Sequence, residues 1–374
     1  RIGGGGIYYH LSYWGRPHDY LWLTTTQPGL ICNEMKTAYD HNARRLWILN
    51  VHDPKVAAYG MSLFLDMAWN INCVSPSTVG NHLHAWLAQQ FGQAAASKLL
   101  PAMKSFYRLC GIRRPEFMGW SQVELDKKKY NRGLSPMSDT EFAADEFGNE
   151  LERYLNSYED IKAQVAEAEK LIRPELADAF FAAVKYPVFS AAAMATKTLQ
   201  AQEARHIGRP DSFNSDEEAL DAALRSYNAY QEILSLTEYY NNRMSGGRWR
   251  GSMSCAPRKL PVFGEPLFPA PLSEDNKNSH APAAPIEAKL QTDGCIVRNA
   301  CQWHSASAGA YVVDLLGHSN KAVALPKGES LTYQINTTRT DSCVLRIAAI
   351  PTQPNDKGDL RYSVTIDGGA PTTF

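Results

Sequence analysis

The chain is 374 residues long, 44% hydrophobic and 21% charged, enough apolar material for two or three packed domains rather than one. Its 38 basic and 39 acidic residues leave a net charge of -1, which builds no field for a polyanion and excludes nucleic acid as a partner. No apolar run in the sequence is read as reaching the roughly 18 to 20 residues of a membrane span, while 18 Tyr and 8 Trp, many beside polar residues in loop-like text, suit a sugar-binding cleft or an interface.

The first stretch, "GIYYHLSYWGRPHDYLWLTTTQ", alternates like a strand and then collects His10, Ser12, Tyr13, Trp14, Arg16, His18, Asp19 and Tyr20. Gly3 to Gly6 before it is no phosphate loop, because neither a helix nor a Lys-Ser/Thr pair follows. Helix-like "PGLICNEMKTAYDHNA", strand-like "RLWILNV" and helix-like "GMSLFLDMAWNI" come next. Strand, helix, strand, helix is the signature of parallel β/α units. Further helices run through "NHLHAWLAQQFGQAAASKLLPAMKSFYRLCG", where His82 and His84, two apart on a helix, face different ways and make no metal site. Asp66 reads as a buried hydrogen-bonding group on a packed helix.

Residues 1–134 are therefore expected to form part of a β/α barrel of the TIM type, and residues 135–255 a helical bundle whose Ile161, Val165, Ala168 and Ile172 recur at three- and four-residue steps. Residues 256–288 are rich in Pro and read as a linker or an extended wrapping segment. Residues 289–374, with "CIVRNA", "AYVVDLLG", "AVALPKGESLTYQINT", "CVLRIAAIPTQP" and "LRYSVTIDG", read as a β-sandwich that is cut short. The fold class is thus multidomain: α/β, then all-α, then all-β. Gly246 and Gly247 mark a helix stop, with Trp249 packed onto a neighbouring domain. The seven cysteines include no C-x-x-C pair; Cys32, Cys73 and Cys110 read as free buried thiols, and a Cys295–Cys301 bridge stays open.

In a β/α barrel the C-terminal strand ends line the site. The first strand delivers His10 there, with Tyr13 and Arg16 in its loop; the second delivers Asn50, His52 and Asp53, followed by Lys55 and Tyr59. Two strands of at most four fall short of the eight that close a barrel, so an incomplete barrel with apolar strand surface left open is expected.

The blocks "YYHLSYWGRPHDYLWL", "RLWILNVHDPK", "LFLDMAWN", "AWLAQQFG", "KYPVFSAAAMATK", "YYNNRMSGGRWRGSM" and "PTQPNDKGDLRYSVTID" resemble, in order, those of glycoside hydrolase family 115, the α-glucuronidases that remove glucuronic or methylglucuronic acid from polysaccharides such as xylan. The resemblance implies a barrel, a helical domain and a sandwich, with an α/β domain and the first barrel strands preceding Arg1. It also implies an inverting hydrolase without cofactor or metal, secreted or periplasmic, with a uronic-acid-bearing saccharide as partner and a homodimer through the helical domain. Two departures stand out: Ser12 replaces an acid of the family's His-Phe-Asp-Tyr block, and Ala57 or Ala58 occupies the place of a Glu. Asp53 is then the first choice for a catalytic carboxylate, with His52 and His10 moving protons or holding sugar hydroxyls. Arg16 and Lys55 are the cations for a uronate, Asn50 is a further substrate contact, and Tyr13 and Tyr59 would stack on or bond to the ring. A binding protein on a decayed scaffold is the alternative, and a mainly dimerising scaffold a third reading.

Overall fold

The computed structural model describes residues 4–15, 19–119, 139–144, 146, 148–278, 296–337, 342–350 and 360–374. Its contacts divide the chain into two units, Arg1–Tyr333 and Gln334–Phe374.

In the first unit, β1 (Gly6–His10) and β2 (Leu46–Asn50) pair in parallel, with Gly6 opposite Leu46 and His10 opposite Asn50. Between them lies α1 (Pro28–Asp40), which opens on Pro28, where a missing N–H is no loss because the first helical amides lack partners anyway. The alternation of the strands sorts their side chains. Ile7, Tyr9, Trp47 and Leu49 pack inward, with Phe64 of α2 (Ala58–Trp69) stacked on Tyr9 at 6.0 Å and tilted against Trp47 at 5.5 Å. Tyr8, Leu46 and Ile48 face out, 56%, 60% and 42% exposed. That open apolar face is the one expected, and among the described residues no third strand joins this sheet.

Helices α3 (Val79–Phe91) and α4 (Gln93–Ile112) follow, then α5 (Glu150–Glu169), whose Asn149 cap accepts the Glu152 amide at 3.2 Å. Ile161, Val165 and Ala168 are buried as their spacing requires, whereas Ile172 falls past the end of the helix and is only half-buried against the core. A short α6 (Ala177–Phe180) passes through a π turn at Phe181–Lys185 into α7 (Tyr186–Ile207). Finally, α8 (Glu217–Glu238), capped by Asp216 on the Ala219 amide at 3.1 Å, runs into a second π turn, Tyr239–Arg243. One apolar core extends from Leu11 to Phe263 and continues to Leu315, so the two helical groups and the β/α units share it. Trp22 is its largest fully buried side chain; its indole N–H donates to the Tyr186 hydroxyl at 3.0 Å.

The run Pro174–Ile207 corrects one expectation: with a mean hydropathy of 1.3 over its most apolar window it is long and apolar enough to cross a membrane, yet 72% of that window is buried inside the protein. A helix enclosed by other helices carries the same composition as a span.

Residues 256–278 wrap rather than hang free. Leu260, Val262 and Phe263 are buried, and Lys197 of α7 donates to the carbonyls of Val262 at 2.7 Å and Gly264 at 2.8 Å. Further along, β4 (Tyr311–Asp314) and β5 (Lys321–Ala324) form an antiparallel hairpin, and β3 (Ser305–Ala306) pairs with β6 (Leu331–Thr332). The hairpin seats on helix starts: Gly29 N–H donates to the Leu315 carbonyl at 3.1 Å, and Gly80 N–H to Asp314 Oδ2 at 2.8 Å. A Cβ on Gly29 would lie 2.2 Å from the Asp314 carbonyl oxygen, so this approach requires glycine.

In the second unit, β7 (Ser363–Val364) pairs with β8 (Thr372–Thr373), and Tyr362 stacks on Phe374 at 5.5 Å. Residues 342–350 form no strand, against expectation, and neither do residues 296–299. Alternation alone does not make a strand without a neighbour to take its backbone groups. Three other readings are corrected or fall away. Asp66 is exposed and meets His82 Nε2 at 3.1 Å. Cys73 is exposed, while Cys32 and Cys110 are buried as expected. Cys295 lies outside the described residues.

Candidate functional site

Parallel pairing in register brings the two polar strand ends together. His10 lies beside Asn50, and the Leu11 and Ser12 amides both reach the Asn50 carbonyl, at 3.0 and 3.4 Å. Asn50 Nδ2 donates to the Tyr8 hydroxyl at 2.8 Å. The His10 ring lies 5.1 Å from Tyr8 and 5.3 Å, edge-on, from Tyr13. Tyr13 is held by a pair of backbone bonds to Tyr20, at 3.0 and 3.1 Å. Beneath Tyr20 sits the Arg114 guanidinium, 4.2 Å from the ring centre, with Nη1 2.8 Å from the Thr25 hydroxyl. Burial raises the Tyr20 and Tyr9 hydroxyl pKa values, so both remain proton donors at neutral pH.

A second group adjoins the first. Ser12, Trp22, Thr24, His52, Asp53 and Val56 line a narrow cleft with about 10 Å³ of room, the space of one water, and among the described residues Asp53 is its sole carboxylate. Asp53 Oδ1 accepts the Lys55 amide at 2.9 Å, and the Asp53 carbonyl accepts the Ala57 amide at 3.2 Å, the turn that launches α2. Asp53 Oδ2, Ser12 Oγ and His10 Nδ1 are buried without a hydrogen-bond partner. Lys55 Nζ stands 3.3 Å over the ring centre of Trp249, so this cation is positioned by an aromatic from the segment after α8.

The structure thus gathers His10, Tyr13 and Asn50 in one group and His52, Asp53 and Lys55 in another, at the same end of the sheet; neither His10 nor Tyr13 lines the cleft that holds Asp53. Tyr59 is corrected as a ligand contact. It is 5% exposed and packs against Trp86 at 5.4 Å and Tyr107 at 6.2 Å, because its place in the first turn of α2 turns it into the core. Arg16 lies outside the described residues. Asp19, grouped with the polar loop by sequence, is fully buried and paired with Arg258 Nη1 at 2.5 Å, which also donates to the Gly15 carbonyl at 2.9 Å. Arg114, Arg258 and Tyr240 were missed; each arrives from far along the chain, and only the paired tyrosines of "EYYNN" hinted at the last. Among the described residues no cluster of His, Cys, Asp and Glu could hold a metal ion.

Parallel strands covered by helices on one face, with a polar cleft off their C-terminal ends, are the construction of α/β enzymes. Residues 1–117 match the family Glycosyl hydrolase family 115. The whole chain is similar to a solved structure described as a novel family GH115 4-O-methyl-alpha-glucuronidase, BtGH115A, with specificity for decorated arabinogalactans, at 33% identity and a TM-score of 0.76. The match covers 100% of this chain and 44% of that one, so the chain spans less than half the length of this relative. No curated protein matches. The resemblance to glycoside hydrolase family 115 therefore rests on the family match at the strand ends and on likeness along the whole chain.

Proposed function

We propose that this chain carries part of the site of an α-glucuronidase-type glycoside hydrolase, which removes glucuronic or 4-O-methylglucuronic acid from a plant polysaccharide, xylan or a decorated arabinogalactan, with inversion. The reading is carried by one coincidence: the family match spans the two strands whose ends hold His10, Asn50, His52 and Asp53. Residues 1–134 are then part of a barrel, 135–255 a helical domain, 256–288 a wrapping linker and 289–374 part of a sandwich; the protein is secreted or periplasmic, and the helical segment pairs two copies.

Inversion needs one carboxylic acid on the leaving oxygen and one carboxylate on water, roughly 6.5 to 9.5 Å apart. Asp53 supplies one of them, His52 and His10 assist proton movement, and Lys55, held over Trp249, offers charge to the uronate. Full-length protein incubated with uronate-decorated xylan and arabinogalactan oligosaccharides is expected to release the uronic acid, first as the β-anomer by NMR. An α-anomer would reject inversion, and no release would reject the hydrolase. A second reading, sugar binding without turnover, is favoured by the cleft's single carboxylate among the described residues and by Ser12 and Ala57 or Ala58 in place of acids. Retained binding in the absence of release would select it.

A further inference from the structure

The loop after β2 and the π turn after α8 are separated by almost 190 positions, yet two buried oxygens without hydrogen-bond partners lie near one another where they meet: Asp53 Oδ2 and the Tyr240 hydroxyl. Tyr240 is fully buried, its ring 5.0 Å from Tyr186 and 6.4 Å from Phe181. Its segment is anchored by Asn241, which donates to the Met253 carbonyl at 2.9 Å and accepts the Met253 amide at 3.0 Å. The same segment brings Trp249 onto Lys55. Residues 240–253 therefore meet the Asp53–Lys55 turn at two places, Trp249 over Lys55 and Tyr240 beside Asp53.

A buried hydroxyl and a buried carboxylate oxygen, each unsatisfied, are costly apart and stabilising together. The extra residue of a π turn re-aims the side chains after it, and such turns recur at functional sites.

We propose that Tyr240 is a positioning residue for Asp53: its hydroxyl donates to Asp53 Oδ2 while the Lys55 amide holds Oδ1, fixing the carboxylate plane at the strand end. The inference rests on the glucuronidase reading above for its catalytic consequence and adds that the helical segment completes the site. Burial first, and then the Asp53 charge, raise the Tyr240 pKa, so the phenol stays protonated and acts as a donor rather than as a base.

Full-length protein carrying Tyr240→Phe, which keeps the ring and its packing, is the test. On a uronate-decorated oligosaccharide kcat is expected to fall about tenfold, the worth of one hydrogen bond to a charged group, with KM changed less than about twofold. Unchanged kcat, or a loss confined to KM, overturns the proposal. If the wild-type protein releases no uronic acid, the glucuronidase reading fails on its own, and the contact is read separately by thermal unfolding of Asp53→Asn, Tyr240→Phe and the double variant. Non-additive melting temperatures support the contact, and additive ones overturn it.

Discussion

Asp53 uses its two oxygens differently: Oδ1 starts α2 by accepting the Lys55 amide, and Oδ2 lies buried on the Tyr240 side of the cleft. The substitution Asp53→Asn separates these functions, because the amide retains one acceptor for the turn but loses the charge and the ability to exchange a proton. If Asp53 performs acid or base chemistry, kcat of the full-length protein falls at least about 100-fold. If it only caps, the variant turns over normally and loses a few tenths to about 1 kcal/mol of stability. Turnover assay and melting curve together decide. His10, Asn50, His52 and Asp53 were legible in the sequence because polar residues ending two alternating strands stand out against their apolar bodies. Tyr59 was not, since "Tyr after a polar loop" does not say which side of the coming helix it occupies, and the burial of its neighbours turned it inward.

At the scale of elements, α1 to α4 and the two strands follow from 3.6- and 2-residue periods, whereas the strap 256–264 illustrates what periodicity leaves out. Its Pro-rich text has no period, and its two anchors come from distant residues: Arg258 to buried Asp19, and Lys197 to the carbonyls of Val262 and Gly264. Replacing Arg258 by Met leaves Asp19 buried with an uncompensated charge, so a loss of roughly 3 to 5 kcal/mol is expected in denaturant unfolding. A loss below about 1 kcal/mol would show the pair to be screened like a surface one. Lys197 gives a signed pH effect. Burial pushes its pKa down to about 7 from an ordinary 10.5. Between those values the unfolded chain binds a proton that the folded one does not, so this residue makes stability rise with pH across the window from about 7 to 10.5 and adds no slope below it. Lys197→Met should flatten that part of the stability-pH curve. An unchanged slope would mean that the two carbonyls hold the ammonium charged after all. The docking of the β4–β5 hairpin on Gly29 and Gly80 was equally illegible, because its text reads as one more sandwich strand pair and names no partner.

For the whole molecule, the decisive feature is the uncovered face of the β1–β2 sheet. Parallel strands normally lie buried on both faces, and here helices cover the side of Ile7, Tyr9, Trp47 and Leu49 while Tyr8, Leu46 and Ile48 stay more than two-fifths exposed. No third strand joins either edge among the described residues. A contiguous apolar face beside two bare strand edges favours association and the binding of hydrophobic dyes. The 374-residue chain is therefore expected to bind anilinonaphthalene sulfonate and to elute larger than a monomer. Leu46→Glu with Ile48→Lys, placed on exposed neighbouring positions of β2, should reduce dye binding several-fold and restore monomeric elution. Their effect on the melting transition should be small, within about 0.5 kcal/mol per site, because neither side chain is packed. A polar pair that leaves dye binding untouched would assign the response to another apolar surface, the Leu345, Ile347, Tyr362 and Phe374 group of the second unit being the next to test by the same substitution logic. A polar pair that unfolds the chain would show instead that this face is packed in solution.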